Sequence, residues 1–469
     1  MKRERVAVAA VMIVAVLLRV YEVFRFPFEQ DELYSIDEAT NLFHTRLLPG
    51  IQARPVFFLL EHPFLSLTTA PAAPFLRLLP LLFGVAGVWV TWRLARELAG
   101  AAAGFLALVL VAVSPWHLYA SGFGRYYSLV YLLAALVYWQ LPKALDADTP
   151  RRFLVVLIPL LLGTWTHPSF VFPVVGVALA VSIFGPDGSV RFRWPSRAAW
   201  MWLWGPYLAL SILVVALIRA LHHSADVANG GDRGLVATLR LVPAMVDWMT
   251  LLVATSFVAG VVLLIRSERG NERRFGWMAV FGCVCTLIAL FALSFDTAIY
   301  ADYGIAALPL VLAAAAFPVA WLRENLAIGS RPIGVNAVAW ILVIGILPST
   351  VSHLSDGTRF DYRPALSQIN QTAPEIEVLA WPIVIQRAYD PGLKSREIPT
   401  TAAGLDSALQ RYQDLWAIVS VKRYGIVGDD TGGMAQWLRQ NCRQNGEYQR
   451  PRLDYRIYRV DLWRCTVGA

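Results

Sequence analysis

Apolar runs of about 20 residues recur along this chain from Val6 to His353, separated by short polar loops. A helix of that length rises far enough to cross the hydrocarbon of a bilayer. Helices and closed barrels alone satisfy their own backbone hydrogen bonds there. The runs are Val6–Phe24, Phe75–Leu94, Ala101–Tyr119, Ser128–Leu141, Phe153–Thr166, His167–Phe184, Ala198–Ile218, Leu241–Ile265, Phe275–Phe295, Tyr303–Leu322 and Val335–His353. They predict a polytopic α-helical membrane protein with about eleven transmembrane helices. Composition agrees: 57% of residues are hydrophobic and 16% charged, against about a quarter charged in soluble domains. The basic start, Met1 to Arg5, followed by Val6–Phe24 has the outline of a signal peptide. The run is too long for one and no small-residue cleavage site follows, so it reads as an uncleaved first span.

The formal charge of +8 does not call for nucleic acid. Basic residues gather in alternate loops: Arg93 and Arg96; Lys143, Arg151 and Arg152; Arg191, Arg193 and Arg197; Arg266, Arg269, Arg273 and Arg274. Such loops stay in the cytoplasm, which places the N-terminus there too. With an odd number of spans the C-terminal end is extracytoplasmic. So is the outer loop 25–74, where Ile36–Leu48 and Pro55–Leu67 read as interfacial helices. The expected division is therefore a transmembrane domain over 1–353 and a small extracytoplasmic α/β domain over 354–469. In the latter, Val378–Ile385, Leu415–Val421 and Tyr455–Cys465 read as strands and Met434–Cys442 as a helix. It has no phosphate-binding glycine loop. Cys283 and Cys285 sit in an apolar run, while Cys442 and Cys465 fall in the outer domain, where an oxidising compartment lets them pair.

Ionisable residues near spans are costly and informative. Asp31, Glu32, Asp37, Glu38, Arg54, Glu61, His62, Arg125, His167, Asp247, Asp296 and Asp302 all fall at outer ends of spans or in outer loops. An ion-coupled carrier would hold such groups near the midplane; here they collect at one interface, as an enzyme working on a lipid head group would require. Phe28-Glu29-Gln30-Asp31-Glu32-Leu33-Tyr34-Ser35 stands out, with three carboxylates in four positions just after the first span. A carboxylate there can take a proton from an incoming hydroxyl; the plain alternative is a solvated acidic loop. Each basic candidate has its own plain reading. Arg125 serves as an interfacial anchor between belt tyrosines, His167 caps a span before Pro168, and Arg54 pairs with a nearby carboxylate.

In order along the chain stand Asp31-Glu32-Leu33-Tyr34, Arg54-Pro55-Val56-Phe57-Phe58-Leu59-Leu60-Glu61-His62, Leu76-Arg77-Leu78-Leu79-Pro80-Leu81-Leu82-Phe83-Gly84, Ser114-Pro115-Trp116-His117-Leu118-Tyr119, Arg125-Tyr126-Tyr127-Ser128-Leu129 and Asp361-Tyr362-Arg363-Pro364-Ala365. This ordered set resembles the C-type glycosyltransferases, in the branch of protein O-mannosyltransferases and aminoarabinose transferases. The chain departs from that pattern at Val56, where a second proline is common, and at Asp302-Tyr303, where Arg-Tyr is common. The resemblance implies a polyprenyl-phosphate sugar as donor and a single inverting displacement. The acceptor is a hydroxyl on a protein, lipid or glycan. It implies Asp31 as general base with Glu32 orienting, and Arg54 and Arg125, with His62 and His167, on the donor phosphate. Members differ over metal, and no ligand cluster is visible here, so no cofactor is assigned and a divalent metal stays open. A transporter or flippase of lipid-linked sugars is the competing class, and a non-catalytic membrane scaffold with a partner-binding outer domain a third.

Overall fold

The computed structural model describes residues 2–42, 54–66, 73–221, 234–296, 299–325, 333–380, 383–422, 425–427, 429 and 432–467. The loop expected around His222, His223 and Arg233 and the end of the first interfacial segment, 43–48, lie outside them. The chain forms two compact units. One comprises Met1–Phe24, Ser35–Asn229 and Arg233–Thr350; the other comprises Arg25–Tyr34, Gly230–Asp232 and Val351–Ala469.

The first unit is helical. Among the described residues six helices are long and apolar enough to cross a membrane: Arg3–Arg25, Pro74–Val113, Tyr127–Ala147, Gly270–Ser294, Ala301–Asn325 and Val338–Asp356. A seventh is obtained if Gly234–Met249 and Leu251–Arg266, bent by 98° at Thr250, count as one span. This is fewer than the eleven runs drawn from sequence. The second and third runs share one helix, Ala73–Val113, broken at Gly100, whose φ of +90° suits glycine. The fifth, sixth and seventh runs fall on Pro150–Thr166, Val171–Ile183 and Gly205–Leu221, each too short to qualify alone.

A proline sets one junction. Pro115 opens the Pro115–Gly122 helix and has no N–H to give the carbonyl of Val111. Long-range donors close the gap. The fully buried Arg19, from the first helix, donates to the carbonyls of Val111 and Ala112, each at 3.3 Å. Thr350 donates to that of Val113 at 2.7 Å. The Ser114 hydroxyl caps the new helix by accepting the His117 N–H. The same Arg19 guanidinium also reaches Ser121 at 3.2 Å and His117 Nδ1 at 2.6 Å. Beside it Glu22 is fully buried, and a Cβ on Gly122 would stand 2.3 Å from its Oε2, so only glycine admits the carboxylate there.

The second unit is built on a mixed sheet of β1 (Glu377–Ala380), β2 (Ser395–Glu397), β3 (Asp414–Lys422), β4 (Gly425–Ile426), β5 (Cys442–Tyr448) and β6 (Arg459–Thr466). Their order is β2-β1-β3-β6-β5, with β4 beside the end of β3. β1 is parallel to β2 and β3, whereas β6 is antiparallel to β3 and β5. Alternation along β3 divides the core between two faces. Trp416 and Ile418 pack with Leu366 and Ile369 of the Arg363–Thr372 helix; Leu415, Ala417 and Val419 pack with Leu405 of Ala402–Tyr412 and Leu438 of Gly433–Asn441. The strand expected over Val378–Ile385 ends at Ala380, and Ile383–Tyr389 is a helix. Pro382, which cannot donate to a sheet ladder, stands between them. The strand expected from Tyr455 begins only at Arg459. Cys442 and Cys465 are directly opposed on β5 and β6 and form the disulfide expected from sequence.

Candidate functional site

The acidic segment belongs to the second unit and is folded, not a free loop. Asp31 and Glu32 occupy the first turn of the Gln30–Thr40 helix, where the helix dipole favours negative charge. Glu32 reaches back to accept the Glu29 N–H at 3.0 Å, as the acidic member of a capping box does. It is fully buried and paired with Arg359, also fully buried, at 3.2 Å. Arg359 donates as well to the Pro27 carbonyl at 3.3 Å, and the Phe28 N–H donates to the Tyr389 hydroxyl at 2.6 Å. The backbone on both sides of Asp31 is thus pinned, while the Asp31 side chain is half-buried. Glu32 is spent on this scaffold. Burial pushes the Glu29 carboxyl up to about 7, against the pull of Arg359 and Lys422.

The basic candidates belong to the first unit, and three of them converge on one ring. Arg54, immediately before the Pro55–Ser66 helix, places its guanidinium 4.7 Å from the centroid of Tyr126. Arg125 lies 5.5 Å from the same centroid and donates to the Ser35 hydroxyl at 3.1 Å. The His167 ring stacks on Tyr126 at 4.8 Å and approaches Tyr303 at 5.1 Å. The Arg54 Nε is buried with no partner among the described residues, so this guanidinium has capacity left for an anion.

His167 caps a helix, as its plain reading held, and it also belongs to the cluster. Its Nδ1 accepts the Ser169 N–H at 3.2 Å and faces the Ser169 hydroxyl at 2.7 Å, which leaves the ring proton on Nε2. The imidazole is therefore a neutral donor, not a third cation. His62 is engaged elsewhere: its Nδ1 lies 2.7 Å from the Ala39 carbonyl. Its neighbour Glu61 is fully buried, and burial pushes that carboxyl well above the usual range. Among the described residues no three His, Cys, Asp or Glu side chains are grouped as a metal site requires.

Sequence reasoning missed Arg359, Ser35 and the use of Tyr126 as the common ring. It also passed over Arg19 and His117. For these the one available signal was an arginine inside an apolar run and a histidine inside Ser114-Pro115-Trp116-His117.

No protein-family model matches the chain, and no curated protein sequence does. Solved structures do align along most of it. ArnT from Cupriavidus metallidurans in the apo state has a TM-score of 0.51 and 14% identity, covering 97% of each chain. The Archaeoglobus fulgidus oligosaccharyltransferase, tethered to an acceptor peptide containing the NVT sequon, also has a TM-score of 0.51, with 10% identity over 89% of this chain and 69% of that one. The chain shares the fold of these two proteins, carried by a multi-pass membrane protein.

Proposed function

We propose, with that shared fold as premise, that the protein transfers a sugar from a polyprenyl phosphate to an acceptor hydroxyl on the extracytoplasmic face. The observation that carries this reading is the convergence of Arg54, Arg125 and His167 on Tyr126. Two guanidiniums and an imidazole N–H donor suit the oxygens of a phosphate monoester. Polyprenyl phosphate is the leaving group of such a reaction, and its growing charge is what the cluster neutralises.

Asp31 serves as the base. Its carboxylate takes the proton of the acceptor hydroxyl as that oxygen attacks the anomeric carbon. The bond from that carbon to the phosphate oxygen breaks, and polyprenyl phosphate leaves with the electron pair, inverting the centre. The Glu32–Arg359 pair holds the turn that carries Asp31. In this reading the chain makes eleven passages. Helices Gln30–Thr40 and Pro55–Ser66 then lie in the outer interface.

Purified protein incubated with a panel of labelled polyprenyl-phosphate sugars tests the proposal. Transfer or slow hydrolysis is expected. Asp31→Asn should lower turnover by about 10²–10⁴-fold while leaving donor binding nearly unchanged. Arg54→Ala and Arg125→Ala should weaken donor binding as well. Movement of the lipid-linked sugar across proteoliposomes, with no transfer or hydrolysis, would instead make the protein a flippase.

A further inference from the structure

The segment between β5 and β6 is folded with its polarity reversed. In Arg452-Leu453-Asp454-Tyr455-Arg456 the charged residues turn inward and the apolar ones outward. The side chains of Arg452, Asp454 and Arg456 are 2%, 5% and 8% exposed, whereas Leu453 and Tyr455 are 68% and 52% exposed. Arg452 bonds to Asp454 at 2.8 Å and to the buried Asp356; Arg456 bonds to Asp454 at 2.8 Å. Arg450 bonds to Asp361 at 3.0 Å. A loop facing water would solvate these charges and fold its leucine away.

The loop is also fastened to the end of a membrane helix. Ser352 and Asp356 lie in the last turn of Ile333–Asp356, the final apolar helix. The Ser352 hydroxyl accepts the N–H groups of Leu453 at 2.6 Å and Asp454 at 3.1 Å. Ser355 bonds to the Pro451 carbonyl at 3.1 Å, and Arg450 donates to the Ser355 carbonyl at 2.9 Å. Along that helix Trp340, Ile344, Leu347 and Val351 are exposed at helical spacing, a stripe of the kind that meets lipid. The stripe ends at Val351, beside the serine that holds Leu453. An exposed leucine and tyrosine at that level match the amphipathic belt at a membrane surface.

We propose that the 450–456 loop is a lipid-contacting foot, by which Leu453 and Tyr455 enter the interfacial region of the bilayer around the last span. Its partner is the lipid surface, not a protein. Spin labels at Leu453→Cys, Tyr455→Cys and, as a water-exposed control, Lys394→Cys test this. They are placed in full-length protein lacking Cys283 and Cys285 and reconstituted in nanodiscs. Labels at 453 and 455 should relax several-fold more with oxygen relative to a water-soluble nickel chelate than the label at 394 does. Accessibilities at 453 and 455 equal to that at 394 would overturn the proposal. Intact disulfide and melting temperature in each variant show that the fold is kept, so a negative result cannot be assigned to unfolding.

Discussion

Arg359 and Glu32 are both fully buried and 3.2 Å apart, and a buried pair of this kind shows its importance mainly when one member is lost. Arg359→Met leaves a carboxylate uncompensated in the interior. The expected loss is about 3–5 kcal/mol of stability, measured as a lowered melting temperature. Glu32→Gln combined with Arg359→Met removes the stranded charge and should recover most of it. Near-native melting of the single variant would show that the pair does not hold the segment. Glu29 gives a second test through pH. Its folded-state value of about 7 lies above the ordinary 4.5, so the folded protein holds an extra proton between those two limits. Stability should therefore fall as pH rises from about 4.5 to about 7, and stay level above. In Glu29→Gln that part of the slope should vanish, leaving the variant level with the native protein near pH 4.5 and more stable at pH 8. A slope identical in both proteins would place the titration elsewhere.

The first helix and the Pro115–Gly122 helix depend on one side chain. Arg19 covers the Val111 carbonyl that Pro115 deprives of its helical donor, and its planar fork reaches the carbonyls of Ala112 and Ala15 as well. Arg19→Met should cost about 1–3 kcal/mol for each carbonyl left unpaired. Arg19→Lys, a single point of donation, should recover less than half of that loss in thermal unfolding. Full recovery by lysine would mean that charge alone is what the site needs. This link also marks the limit of what sequence shows. Arg54, Arg125 and His167 stood out as candidates because each interrupts apolar sequence at a span end. Arg19 acts on a proline junction more than ninety residues away, and Arg359 on Glu32 from 327 residues away; no local pattern records either. Among strands, β3 was legible as the continuous apolar run of a central strand. β5, with the sequence Cys-Arg-Gln-Asn-Gly-Glu-Tyr, is a polar edge strand and gave no alternation. Ile383 to Ile385 misled for the opposite reason: a short β-branched run does not distinguish a strand from a buried helical turn.

At the scale of the molecule, ion pairs within the first unit tie together the loops rich in basic residues. Arg96 pairs with Glu4, Lys143 with Glu97 at 2.6 Å, Arg274 and Arg193 with Asp146 at 2.6 and 3.7 Å, and Arg269 with Glu324 at 2.8 Å. These pairs place the N-terminal end and the loops after residues 94, 141, 184, 266 and 322 in one linked set at helix ends. The Tyr127–Ala147 helix carries Arg125 and Tyr126 at one end and Lys143 and Asp146 at the other. The cluster around Tyr126 and the basic loop at residues 143–146 therefore lie a helix length apart, about 30 Å at 1.5 Å per residue. In the proposed orientation the excess of Lys and Arg keeps the loop side in the cytoplasm and puts the Tyr126 cluster on the opposite face. Single cysteines read this out in intact cells, in protein lacking Cys283 and Cys285. Asp187→Cys, in a basic loop, should react with an impermeant maleimide only after permeabilisation. Lys394→Cys, in the sheet unit, should react at once if the chain makes the eleven passages proposed above. Labelling of both positions without permeabilisation would break the proposed parity.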